Sequence, residues 1–360
     1  MKITSRIFIF LLCLGRSSIS LAQQDTLSSK SYDELREIIN YNSGKDDSLA
    51  LLVSNIYLNK AIENSDVKQQ LTAYIGQASL YATLKDEKHF TESIEKSLKI
   101  NGDNNREKRR ELIYERVAGG YYSLSNWAKS VDYYEKLREI AANQNKAFRE
   151  SSLLSRIAFI NTRAGDVNRG LKLNKEALYK TQQIIVNTDS LQTIKDRVLA
   201  SNHYTLTSAY LTLEKPDSAL YHIDQALKVS TVQDSCSVKY LYFMQADGYI
   251  GKNQLKKAGE SLDKADQICR INTESINMQA NVYRGEIALN KKQYRESVDY
   301  FLKALKDRDV PNRQEGLMGD VYNLVAKAYK GLNKLDSANL YLEKYINTSN
   351  ELNRMKIYRF

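Results

Sequence analysis

The chain has 360 residues, 42% apolar and 27% charged, with a formal net charge of +10, a balance that excludes a disordered or wholly membrane-embedded protein. With only 2 Pro and 15 Gly over that length, turn-dense strand architectures are disfavoured and a mostly helical chain is expected.

Residues 1–22 read as a secretory signal peptide: Lys2 and Arg6, an apolar run from Ile7 to Gly15, then small residues at Ser20 and Ala22 that suit cleavage after Ala22. The run is about half of the ~20 residues a membrane-spanning helix needs. Cys13 lacks the small preceding residue of a lipid-anchored cleavage site. Loss of Lys2, Arg6 and Arg16, with no acid, leaves a mature charge of +7. No later run reaches eighteen apolar residues, so the mature chain is expected to lack a transmembrane segment and to reside in the periplasm or cell envelope. Export argues against a nucleic-acid partner. So does the densest basic stretch, Arg106 to Arg110, which acids at Glu107 and Glu111 interrupt.

Residues 23–30 are expected to be disordered, and 31–66 to form a degenerate helix pair that caps one end of an array. From residue 67 a pattern recurs. Seven small residues, Ala78, Ala118, Ala158, Thr207, Ala246, Gly285 and Ala326, each sit in a first helix; most have a large residue four before and another three after, as in Tyr74 and Tyr81. Twelve residues on, a second helix carries Phe90, Ser130, Gly170, Ala219, Ala258, Ser297 or Ala338. Such spacing places these side chains on one stripe of each helix, where small residues admit close approach and rings fill the space beside them. Ser125-Asn126, Gly165-Asp166, Lys252-Asn253 and Gly331-Leu332-Asn333 supply the turns between the two helices. Residues 351–360 are read as the end of the last helix and a tail.

In this order of aromatic, small, aromatic, turn, small, aromatic and small, residues 67–350 resemble the tetratricopeptide repeat (TPR) family, as found in exported arrays of bacterial envelope and signalling proteins. The resemblance implies an all-α, right-handed α-solenoid of seven antiparallel helix pairs whose concave surface, lined by the first helices, binds a protein or peptide. The small residues are spaced by 40, 40, 49, 39, 39 and 41, against about 34 in the family. Longer helices or loops must absorb the excess, with loops expected at Asn143 to Asn145, Asn187 to Ser190, Gln233 to Ser235 and Asn272 to Ser275.

By the same resemblance, the concave stripe takes in Arg116, Gly119 and Tyr122; Ser155, Arg156 and Phe159; Tyr204, Thr205 and Ser208; Phe243, Met244 and Asp247; Tyr283 and Glu286; Asn323 and Lys327. The residues selected for partner contact are Arg116, Tyr122, Arg156, Phe159, Tyr204, Phe243 and Tyr283, since aromatics and arginines favour binding hot spots. The same spacing also suits rings that pack between helices. Of the family's carboxylate clamp, only the arginine-like positions Arg116 and Arg156 are matched.

Cys236 and Cys269 stand about equally far from the turn near Lys252-Asn253, so antiparallel helices bring them level. In an oxidising compartment they form either a disulfide or two small apolar thiols in the packing. His89, His203 and His222 are scattered, no metal-ligand spacing occurs, and no nucleotide-binding or nucleophile motif is present. His203 occupies a large-residue slot, which suits packing. No cofactor, metal or catalytic activity is therefore expected, and no oligomeric state is indicated. Two functions fit: an exported scaffold that binds a protein or peptide, or the sensor region of a membrane-linked signalling protein or transcription regulator whose output domain lies outside this chain.

Overall fold

The computed structural model describes residues 26–101, 107–229, 236–268, 274–306 and 315–357, and among these the only regular structure is helix. The expected signal segment lies outside them. So do Cys269 and the side chain of Cys236, and with them the choice between a disulfide and two thiols. The chain divides into two compact units, Met1–Arg116 and Val117–Phe360.

The first unit holds α1 (Tyr32–Asn42), α2 (Asp47–Glu63), α3 (Val67–Thr83), α4 (Glu87–Asn101) and the start of α5 (Glu107–Ser123). Helix α1 opens on a capping box: the Ser31 hydroxyl accepts from the Glu34 N–H at 3.3 Å, while the Glu34 carboxylate accepts from the Ser31 N–H at 2.8 Å. Leu35, Val53, Ile56, Tyr57 and Ala73 form its core. Residues 26–30, expected from sequence to be disordered, instead form a helical turn. The reason is local: Leu27 packs against that core, and the Lys60 ammonium donates to the Lys30 carbonyl at 2.6 Å.

The second unit continues with α6 (Trp127–Asn143), α7 (Ala147–Arg163), α8 (Val167–Gln183), α9 (Asp189–Thr212), α10 (Pro216–Val229), α11 (Cys236–Gly251), α12 (Leu255–Ile268), α13 (Glu274–Asn290), α14 (Tyr294–Lys306), α15 (Glu315–Gly331) and α16 (Leu335–Ile357). Each small-residue segment falls on an odd-numbered helix from α3 to α15, and its partner segment on the even-numbered helix that follows.

The turns explain the period. Lys85, Ser125, Gly165, Glu214, Asn253, Lys292 and Asn333 all have positive φ, and each lies seven residues after its small residue. In six of these turns the next N–H reaches back five residues to a carbonyl, as from Asp86 to Tyr81 at 2.9 Å and from Gln254 to Tyr249 at 2.8 Å. This closes six of the seven first helices in a Schellman motif. Helices α6, α7 and α8 have 17 residues each, joined by three-residue turns, so a pair occupies forty residues because its helices are long. Asn143 to Asn145, expected to be a longer loop, is such a turn, with Asn145 at φ 55°. The 49-residue interval has its own source: α9 has 24 residues. It is preceded by an extended segment, and Lys195 secures the end of α8 by donating to the Gln182 and Ile184 carbonyls.

Within a pair the helices approach until side chains of the second meet the backbone of the first. Ser130 Oγ donates to the Ala118 carbonyl at 2.8 Å and Ser297 Oγ to the Gly285 carbonyl at 2.9 Å. At the same register in α8, a Cβ on Gly170 would stand 2.7 Å from the Ala158 carbonyl oxygen. Between α7, α8 and α9 the interior is polar but satisfied in part by a side-chain network: Asn174, fully buried, accepts from Ser155 Oγ at 2.9 Å and donates to the Asn202 carbonyl at 2.8 Å.

Curvature of the second unit follows from which helices meet across pairs. First helices touch in succession, α7 with α9, α9 with α11, α11 with α13 and α13 with α15. Among the described residues no comparable contact joins α8 to α10, α10 to α12 or α12 to α14. The stack is therefore closed on the side of its first helices, which form its inner wall.

Candidate functional site

The inner wall of the second unit can be built from offsets around each small residue, which itself faces the second helix. A step of 100° per residue carries the next residue, and those two and six before it, toward the opposite side of the helix. The position just after gives Phe159, Ser208, Asp247, Glu286 and Lys327 on successive first helices. Two before gives Arg156, Thr205, Met244, Tyr283 and Leu324. Six before gives Tyr240, Gln279 and Asp320.

Of the residues selected from sequence, Tyr122, Phe159, Tyr204 and Tyr283 are half-buried here and Arg156 is exposed. The Tyr122 and Phe159 rings are 6.2 Å apart, and Trp127 meets Tyr122 edge-on at 5.2 Å. The Arg156 guanidinium lies over the Tyr134 ring at 5.9 Å. Burial raises the Tyr204 hydroxyl above its ordinary pKa, Tyr240 and Tyr122 add to the rise, and Arg163 opposes it, so these four groups share one neighbourhood. Tyr283 receives a hydrogen bond from Gln279 at 3.4 Å. Its hydroxyl is raised by burial first, then by Asp247.

Two of the selections separate from this group. Phe243 is 0% exposed. It packs with Ala246, Leu262 and Ile287 as core, and is not a surface for a partner. The cause is packing between helices: Tyr204 has the same offset from its small residue and stays half-exposed, whereas the Phe243 ring is enclosed by its neighbours on α11, α12 and α13. Arg116 is exposed on α5 but is the last residue of the first unit.

The charged groups of the wall are sorted along it. On α7, Arg156 and Arg163 are exposed, and neither forms an ion pair among the described residues. On α11 and α13, Asp247 and Glu286 are half-buried, and neither carboxylate has a hydrogen bond or ion pair among the described residues. Burial pushes Asp247 up to about 6. Burial also lifts Glu286 to about 7, with repulsion from Asp247 and Asp320 adding to the rise and Lys327 opposing it. Ionised carboxylates so placed are destabilising unless a cation joins them. Sequence reasoning placed Asp247, Glu286 and Lys327 on the stripe, but missed Arg163, Tyr240 and Asp320. The signal available for those three was angular offset alone, without any residue motif.

The histidines stand apart from the wall. His203 Nδ1 and His222 Nδ1 are 2.9 Å apart in the α9–α10 hairpin, and burial depresses both to about 4. The pair is neutral above that range, with one proton lying between the two nitrogens. Among the described residues no group of three His, Cys, Asp or Glu is placed to hold a metal ion, and no helix is long and apolar enough to cross a membrane.

No protein-family model matches the chain, and no curated protein matches it. Solved structures do. The apo form of the quorum sensor NprR from B. thuringiensis superposes with a TM-score of 0.60 at 15% identity, covering 96% of this chain and 92% of that one. NprR in complex with its cognate peptide NprX gives 0.56 at 16% identity with the same coverage. A tetratricopeptide repeat protein from Parabacteroides merdae gives 0.53 at 13% identity, covering 82% of this chain and 98% of that one. Together with the paired helices, these likenesses define the fold class: the chain is a TPR-like α-solenoid.

Proposed function

We propose that the chain is a non-catalytic scaffold whose second unit holds a protein or peptide segment along its inner wall. The observation that carries this reading is the gathering of half-buried aromatics with unpaired charges on one curved face: Tyr122, Phe159, Tyr204 and Tyr283 with Arg156, Arg163, Asp247 and Glu286. Rings held in place by neighbouring helices present large contact area at little entropic cost, and aromatic and arginine side chains dominate binding energy at interfaces. A TPR-like fold is also that of NprR, whose complex with the peptide NprX is a protein–peptide complex.

The N-terminal pattern of Lys2, Arg6, the Ile7 to Gly15 run and Ala22 supports action in the periplasm or envelope after export. Affinity capture from an envelope extract tests both parts. A partner recovered there should bind the wild-type array about tenfold more tightly than the Arg156→Glu, Phe159→Ala variant, as loss of two hot-spot groups implies. Equal recovery by both would remove the inner wall from the reading. The likeness to a quorum sensor also favours a second reading, the input region of a signalling protein. An in-frame apolar segment and output domain encoded downstream of Phe360 would support it, and a stop codon there would overturn it.

A further inference from the structure

We infer that the segment held by the inner wall is bipolar: a cationic group, ammonium or guanidinium, lies between α11 and α13 at Asp247 and Glu286, and an anionic group lies at α7 beside Arg156 and Arg163. This inference rests on the binding reading above and adds the chemistry and placement of what is bound.

The argument begins with position. Asp247 and Glu286 occupy the same offset on adjacent first helices, each one residue after its small residue, so they form successive rungs of the wall. The same offset on α7 is Phe159, with Arg156 three residues before it and Arg163 four after, on one face of that helix. Opposite charges thus stand at separate points of a continuous surface lined by Tyr122, Tyr204 and Tyr283. From α7 to α13 there are three helix-to-helix steps of ~8–10 Å. That distance is covered by about eight residues of extended chain.

Partnering supplies the second strand. Many charged side chains of the second unit are paired at home: Lys180 with Glu150 at 2.7 Å, Arg138 with Glu135 at 2.6 Å and Arg284 with Asp266 at 2.5 Å. The wall carboxylates are among the more buried acids and have no such partner. Lys327, at the next rung, attracts Glu286 but is itself exposed and forms no ion pair with it. Asp320 adds negative charge to the same end. A neutral ligand would seal two unpaired carboxylates away from water, whereas a ligand cation converts them into charge-assisted hydrogen-bond acceptors, with the Tyr283 ring beside it. At α7 the two guanidinium groups offer planar forks to a carboxylate.

Fluorescence anisotropy at pH 7.5 tests this with three labelled, end-capped octapeptide pools that differ at positions 1 and 8: arginine and glutamate, citrulline and glutamine, or glutamate at both. The arginine–glutamate pool is expected to bind the wild-type chain at least about tenfold more tightly than either of the others. Its advantage should vanish in Asp247→Asn, Glu286→Gln and fall in Arg156→Gln, Arg163→Gln. If the citrulline–glutamine pool binds as tightly as the charged one and the four substitutions change nothing, the bipolar assignment is overturned while the wall stands as a binding surface. If no pool binds, both readings fall.

Discussion

Replacing Glu286 by glutamine raises the stability of the chain at pH 8 and leaves it unchanged near pH 4. The carboxyl titrates at about 7 in the folded chain against its ordinary value of 4.5, chiefly through burial. Below pH 4 both folded and unfolded states are protonated and the side chain is neutral in each. As pH rises from 4 toward 7 the unfolded state releases its proton first, so folding is progressively disfavoured, and the full penalty is present above pH 7. A shift of this size corresponds to about 3 kcal/mol at pH 8. Asp247→Asn behaves in the same way through a titration at about 6. The two gains are less than additive, because each charge raises the other's penalty. Urea unfolding of wild type and variants at pH 8 and pH 4 reads the difference directly. A Glu286→Gln chain no more stable than wild type at pH 8 would mean that the carboxylate is solvated or paired in solution. Stability withheld at a ligand site in this way is a familiar trade, and the stabilised variants are the ones expected to lose the bipolar peptide.

Gly285→Ala should change sign with the residue it faces. Its added Cβ would lie 2.5 and 2.6 Å from Cε1 and Cδ1 of the fully buried Phe301 ring. Overpacking of that kind is destabilising by about 1–3 kcal/mol, which outweighs the ~1 kcal/mol an alanine gains over glycine inside a helix. In a Phe301→Leu background the clash is gone and the methyl group occupies part of the space the ring vacates, so the same substitution should stabilise by about 1 kcal/mol. The pairing Ala246 with Leu262 already exists one repeat earlier, both fully or almost fully buried. A double-mutant cycle by denaturant unfolding checks the inversion. Equal effects of Gly285→Ala in both backgrounds would show that ring and glycine do not share the space between α13 and α14.

These two sites also show what sequence makes legible. Small residues at fixed offsets are visible because helix pairs cannot approach without them, and the residue seven further on takes positive φ in every turn, with six of the seven first helices closing through the same hydrogen bond. Gly165, Asn253 and Asn333 are residue types that suit that backbone, and together with Ser125-Asn126 they mark the four turns legible in sequence, whereas Lys85, Glu214 and Lys292 carry no such signal. Phe243 and Tyr204 share one offset and similar chemistry, yet one ring is fully enclosed and the other half-exposed. Their difference depends on how closely adjacent first helices pack, which no single-helix pattern records. The same holds for Asp247 and Glu286: a carboxylate on a helix reads as a solvated charge until the curvature of the wall withdraws water from it. Loop lengths failed for a simpler reason. Asn and Gln suit a three-residue turn as well as a longer loop, so Asn143 to Asn145 did not reveal which was present.

The inner wall itself is tested most directly by locating a bound ligand. An arginine–glutamate octapeptide carrying a benzophenone at its centre, photolysed with the wild-type chain and mapped by mass spectrometry, should attach to side chains of α7, α9, α11 and α13. Attachment confined to α8, α10, α12 and α14, on the opposite side of the helix pairs, would contradict the account.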